Sequence, residues 1–298
     1  VVAGIIRSLG DSKTPFYFLV LSAVMNIFLD MLFIIVFKLG TAGAGWATIL
    51  SQAISGILCF IYMKKKYDVL KTNVQERKLD MHYIKTLFTM AVPMGLQFSI
   101  TAIGSIMLQS AVNTLGAVYV SSFAAAAKVK QLAMCPYDGF ATASATFGSQ
   151  NLGAGKIERI KKGVHASAFL AFFTSAFISI MMFLFGKILL SMFISGDSTQ
   201  AEQVLDIAWH YLFIMASCLC ILYFLYVYRS ALQGLGNTMI PMLSGVMEFF
   251  VRVGVALLLP KFIGQNGIFY AEIAAWTGAT VLLVVSYYIS IRKFKSAN

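Results

Sequence analysis

Charge is what this sequence has least of: 12% of its 298 residues are Asp, Glu, Lys or Arg, where a soluble domain carries about twice that share. With 59% hydrophobic residues and a mean hydropathy of +0.81, the shortage excludes an ordinary soluble enzyme. Metal and redox chemistry lack their usual carriers. The four cysteines, Cys59, Cys135, Cys218 and Cys220, lie inside apolar runs without a C-x-x-C, so they read as small core hydrophobes. The three histidines, His82, His165 and His210, have no companion motif, and no nucleophile stands beside a base, so hydrolysis is not expected. No phosphate loop is present: the glycine clusters lack the Walker pattern and its strand. Before the first apolar run there is no initiator Met, basic region or cleavage pattern. The chain therefore shows no signal peptide, and residues 1–6 read as the last turns of a helix that begins upstream.

What is there is long apolar runs. Stretches of about 20 residues with few charges fall near 16–37, 43–63, 84–114, 119–147, 163–185, 201–228, 238–259 and 267–290. The expected fold is an all-α polytopic membrane protein with about eight transmembrane helices plus the end of another. The net charge of +11 would suggest nucleic acid in a soluble protein. Here its placement accounts for it: 17 of the 23 Lys and Arg fall in alternate loops, Arg229 among them. Only Lys38, Lys187 and Lys261 occupy the other side, while Lys128, Lys130 and Arg252 lie inside apolar segments. By the positive-inside rule the basic loops and the C-terminus are cytoplasmic, in a cell membrane, with no nucleic-acid partner and a monomer expected.

The chain also repeats itself. SLGDSKTP at 8–15 returns as GLGNTMIP at 234–241, and LSAVMN at 21–26 returns as LSGVME at 243–248. An even number of helices separates the copies, so both enter the membrane in the same direction, a parallel repeat. Gly10 and Gly236 suit left-handed helix caps, and Pro15 and Pro241 the first turn of the next helix. The organisation expected is 1–63 as the remainder of a first lobe, 64–82 as a cytoplasmic linker and 83–298 as a second lobe.

Few polar residues interrupt the runs. Asn26 and Asp30 stand four apart, on one helical face, and a mid-membrane Asp costs roughly 2.5 to 3.5 kcal/mol, so it is usually turned to a cavity or a cation. Thr48 offers a hydroxyl from the next helix. Asp30 has two open uses: ligating Na⁺ with other oxygens, or carrying a proton after desolvation raises its pKa. A purely structural Asp bonded to Asn26 is the bland alternative. Glu248 and Arg252, again four apart, read as a neutralising pair or a gating element. Gln97, Gln109 and Asn113 on one helix, Asp138 beside Pro136, and Glu272 near a helix end are candidates for a substrate cleft. Lys128 and Lys130 cannot share a face, and one is free to snorkel. Fifteen Met and 25 Phe suit an adaptable apolar cleft.

With these residues in view, the chain resembles the multidrug and toxic compound extrusion (MATE) family, within the wider group that includes polysaccharide-lipid flippases. The resemblance is carried by RSLGDSKTP (7–15), N-x-x-x-D (26–30), GTAGAGWAT (40–48), AVPMGLQ (91–97), FGSQNLGAGK (147–156) and QGLGNTMIP (233–241). It implies a twelve-helix, two-lobed antiporter, of which this chain supplies the end of helix four and helices five to twelve. It places the N-lobe cation site on Asn26, Asp30 and Thr48, with one further carboxylate on a first helix outside this sequence. It also implies Na⁺ or H⁺ as coupling ion, small organic substrates and no other cofactor. Gln97 and Thr101, with no acid in 208–228, argue against an acidic site in the second lobe. A lipid-linked precursor flippase and a non-transporting fragment remain the alternatives.

Overall fold

The computed structural model describes residues 1–70, 79–194 and 198–296. Positions 71–78 of the expected 64–82 linker lie outside the described residues. All regular structure among the described residues is helical. The chain divides into two units, Val1–Met81 and His82–Asn298.

In unit one, α1 (Val2–Ser8) leads into α2 (Lys13–Asp30), which continues as a π-helix over Met31–Val36 before α3 (Gly40–Lys66). The first positions of the 64–82 stretch are thus the last turn of α3. The wider helix is fixed by Phe37 N donating to Leu32 O at 3.0 Å, five residues back instead of four. Such turns cluster at functional sites, and this one begins at the residue after Asp30. α2 and α3 lie side by side, with Ser55 Oγ on α3 donating to Phe18 O on α2 at 2.6 Å. Ile6, Cys59 and Met63 form a small core at the end of this hairpin. Most other apolar side chains of α2 face outward, as suits a helix set against lipid.

Unit two contains α4 (Met81–Asn113), α5 (Ala117–Gly153), α6 (Ile157–Ser191), α7 (Ser198–Ser217), α8 (Leu219–Gly234), α9 (Met239–Ile263) and α10 (Tyr270–Ser296). α8 is the spine, with ten buried residues between Leu219 and Leu232. α5 packs along it closely enough that a side chain on Gly234 would run into the Ala145 carbonyl, the close approach small residues allow. Hydroxyls tie the helices together across backbone carbonyls: Tyr223 to Ala133 O, Ser122 to Val204 O and Thr280 to Ile221 O. α7 and α8 meet at a 51° bend, and Ser179 Oγ donates to the Ala216 carbonyl beside it at 2.7 Å. A freed carbonyl at membrane depth needs such a partner.

Each of the eight expected spans is helical. Six among the described residues are single long apolar helices, and the bent pair α7–α8 makes a seventh. The remaining one, α5, is 37 residues long and carries Lys128, Lys130 and Asp138 within its length. It lies against α6, α7 and α8, so its polar and small side chains face protein more than lipid.

The repeated motif folds the same way twice. Gly10 (φ 93°) and Gly236 (φ 81°) take the left-handed conformation. Asp11 N bonds Ile6 O at 3.3 Å, and Asn237 N bonds Leu232 O at 3.0 Å. This is the six-to-one closure of a glycine-terminated helix. Asp11 Oδ1 then accepts from Thr14 N, and Asn237 Oδ1 from Ile240 N, so one residue ends a helix and caps the next. NLGAGK builds a third such turn, with Gly155 at φ 69° and Lys156 N on Asn151 O at 2.8 Å.

One basic residue is not where its sequence position suggests. Arg229, counted among the loop charges, is 3% exposed inside α8. A buried acid on α9 holds it there, so it belongs to the bundle and not to a loop.

Candidate functional site

In unit one the structure brings Asn26 and Thr48 together. Asn26 Nδ2 donates to Thr48 Oγ1 at 3.4 Å, and that hydroxyl donates to Ala44 O at 2.9 Å. These bonds use one N–H of the amide and the hydroxyl proton, leaving the Asn26 oxygen as an acceptor. Asp30, one turn further along α2, is not joined to this pair. Its Oδ1 is enclosed and has no hydrogen-bond partner. An orphaned carboxylate oxygen is costly, about 1–3 kcal/mol for a neutral group and more for a charged one. A proton or a hard cation would satisfy it.

In unit two the charged candidates are buried and paired. Glu248 on α9 lies between two arginines: Arg229 of α8 bonds its Oε1, and Arg252 approaches its Oε2 at 3.4 Å. All three residues are 3% exposed. Arg229 also donates to Ser244 Oγ at 3.0 Å, and Arg252 to the Thr101 carbonyl of α4 at 3.3 Å. Both arginine Nε atoms and Thr101 Oγ1 lack partners. Room for the Arg252 head comes from Gly104, where a Cβ would lie 3.0 Å from its Nη1. Next to this triad, Gln233 Nε2 donates to Gln97 Oε1 at 3.1 Å, so buried Gln97 fastens α4 to α8.

A second cluster joins α5, α7 and α10. Lys130 Nζ lies 2.8 and 2.9 Å from the two oxygens of Glu272, and Tyr211 OH donates to Glu272 Oε2 at 2.6 Å. Lys128, two residues away, is exposed, with its ammonium 5.7 Å from the Phe193 ring centroid. Lys130 turns inward and Lys128 outward, as their spacing requires. The other candidates stay apart from both clusters: Gln109 donates to Asn113 at 3.0 Å on the exposed face of α4, and Asp138 is exposed on α5.

Sequence reasoning missed Arg229 and Lys130 as site residues. A signal was present for each: a base within an apolar run and an acid within another, Glu248 and Glu272, are costly separately and tolerable together. Their partners lie 19 and 142 residues away, out of reach of local periodicity.

Outside the spans, Asp11 accepts from Thr14 N at 3.0 Å, Thr14 Oγ1 at 2.7 Å, Tyr67 OH at 2.9 Å and Lys66 Nζ at 3.3 Å. The Thr14 backbone N–H, then its hydroxyl and Tyr67, hold the carboxyl well below the usual carboxylate range.

Known proteins match this chain in sequence and in fold. The MatE family model matches residues 93–258. The probable multidrug resistance protein YpnP of Bacillus subtilis is 30% identical over 271 residues, covering 90% of this chain and 59% of its own. YoeA of the same organism, also a probable multidrug resistance protein, is 25% identical over 303 residues, covering 97% and 64%. The chain thus spans about three-fifths of the length of these curated relatives. A MOP superfamily transporter from Pyrococcus furiosus superposes with a TM-score of 0.92 at 21% identity, covering 99% of this chain and 66% of that one. The Vibrio cholerae MATE transporter VcmN gives a TM-score of 0.87 at 19% identity, covering 97% and 65%. Those two likenesses establish the fold; with a family model over more than half of its residues, the chain belongs to the MatE family.

Proposed function

We propose that this chain forms the larger part of a cation-coupled antiporter that exports amphipathic, often cationic organic compounds by alternating access of two lobes. The observation that carries the reading is the orphaned Asp30 Oδ1, one turn from the Asn26–Thr48 pair and at the start of a π-helical turn. Na⁺ or H⁺ is the second substrate. Asp30 supplies the negative charge, Asn26 a neutral oxygen, and Thr48 a lone pair held in place by its bond to Ala44. Binding there favours whichever conformation encloses the cation, and that differential affinity does the work. The names of the curated relatives support a drug-like substrate class. Basic loops on the cytoplasmic face of a bacterial inner membrane, and a monomer, complete the proposal.

The flippase alternative expects basic residues open to a cleft. Arg229, Arg252 and Lys130 are engaged with Glu248 and Glu272, which supports the exporter.

The test is efflux of a fluorescent organic cation from proteoliposomes under an imposed Na⁺ gradient or an imposed pH gradient. Asp30→Asn is expected to abolish gradient-driven efflux while the protein remains in the membrane. Transport by that variant at the parental rate would overturn the proposal, and the gradient that drives the parent identifies the ion.

A further inference from the structure

The two buried charge clusters of unit two differ in their balance. Lys130 and Glu272 answer each other one to one. Glu248, in contrast, answers two arginines, Arg229 and Arg252, and all three residues are 3% exposed. A buried lysine can relieve such an imbalance by losing its proton, but a guanidinium keeps its charge. With Glu272 already matched by Lys130, one positive charge of the arginine cluster is left over inside the bundle, where a lone cation is costly.

Donors are left over at the same place. Arg229 directs its Nη2 to Glu248 and Ser244, while Arg252 directs its Nη2 to Glu248 and its Nη1 to the Thr101 carbonyl. The Nε of each arginine is enclosed without a hydrogen-bond partner, and so is the Thr101 hydroxyl. A side chain on Gly245 would stand 3.4 Å from that hydroxyl oxygen, and Gly245 follows Ser244, the residue that Arg229 holds. The Thr101 hydroxyl thus lies between the attachment points of the two guanidinium groups.

An acceptor that answers both the donors and the charge is a small monovalent anion. Water would satisfy the donors and leave the charge. An organic anion is too large for helices packed this closely: a Cβ on Gly104 would lie 3.0 Å from Arg252 Nη1, and one on Gly245 would lie 3.1 Å from Gln97 Cγ. We propose that unit two holds one chloride ion against the Nε–H groups of Arg229 and Arg252 and the hydroxyl of Thr101, as the counter-ion that completes the Arg229–Glu248–Arg252 cluster. The ion fastens α4 to α8 and α9. The site is separate from Asp30, and the inference does not depend on which cation is coupled or which compound is exported.

Thermal melts of the detergent-purified protein, with chloride replaced stepwise by gluconate at constant sodium concentration, test this. Constant sodium keeps any cation site equally supplied. The melting temperature of the parent is expected to rise with chloride and level off, by roughly 5 °C at a hundredfold excess over the dissociation constant, and bromide is expected to replace chloride. Arg252→Met leaves Arg229 and Glu248 one to one, so its melting temperature should be the same in chloride and in gluconate. Thr101→Val keeps the charges and removes one donor, and should move the chloride midpoint about tenfold higher. A parent that melts alike in both salts would overturn the proposal, as would an equal chloride response in Arg252→Met, which would mark an effect of the salt on the whole protein. Crystals of the parent grown in sodium bromide give a readout that needs no variant to fold: an anomalous peak is expected beside the two arginine Nε atoms, and its absence there would overturn the proposal.

Discussion

Asp30 is a liability in a resting protein, and that is the reason to assign it a task. A structural aspartate in its place would be bonded to Asn26, whereas here the amide donates to Thr48 and the carboxylate Oδ1 is left alone. Neutralising it should therefore stabilise the fold. Asp30→Asn is expected to raise the melting temperature of the solubilised protein, by about 1 kcal/mol or more of recovered desolvation, even as coupled efflux is lost. A lower melting temperature would mark the residue as structural. Glu248 is the opposite case. Its removal as Glu248→Gln strands Arg229 and Arg252 in the bundle, a loss of about 3–5 kcal/mol, read as a fall in folded yield and melting temperature. Replacing Lys130 and Glu272 together by Met should cost far less than replacing either alone, because the pair leaves with its desolvation. The sequence made Asn26, Asp30 and Thr48 visible, since a four-residue spacing and a neighbouring helix are local facts. It could not show that Glu248 answers Arg229 as well as Arg252, because that needs the register of α8 against α9.

At the scale of elements, the turn is the most transferable part. Gly236 holds φ 81°, where an L side chain costs roughly 1–2 kcal/mol; Gly236→Ala should destabilise by about that amount, and Gly10→Ala likewise, as seen in thermal melts of each variant. Both positions were legible from GLGN and SLGD, because a left-handed helix cap has few sequence solutions. The Asp11 turn carries its own pH signature. Its carboxyl is depressed below the ordinary 3.8, so its contribution is fully present above that value and fades only as pH falls through the lower folded value. The protection of amides at the start of α2, observed exchange taken against intrinsic exchange, should thus be insensitive to this group from pH 5 to 8, within the range where a carboxylate of about 3.9 is ionised, and should fall only in stronger acid. The polarity of α5 is where composition and structure part. A helix lined by protein can carry Lys130 inward and Lys128 outward, and hydropathy alone averages the two faces.

For the whole molecule, apolar runs and charge placement were enough to give a helical membrane protein with a repeated architecture, because both are imposed by the bilayer and not by details of packing. The orientation of the loops rests on the basic residues that remain in them once Arg229 is assigned to the interior. Unit two, in turn, holds Arg229, Arg252 and Lys130 against Glu248 and Glu272 among its described buried clusters, one cation in excess. A fixed unit charge in a bilayer feels the membrane voltage, worth about 2.3 kcal/mol per 100 mV if carried across the full thickness. A helix shift that moved it through a tenth of the field would gain only about 0.2 kcal/mol, less than thermal energy. For a shift of that size, the surplus arginine charge would couple the bundle only weakly to the membrane voltage.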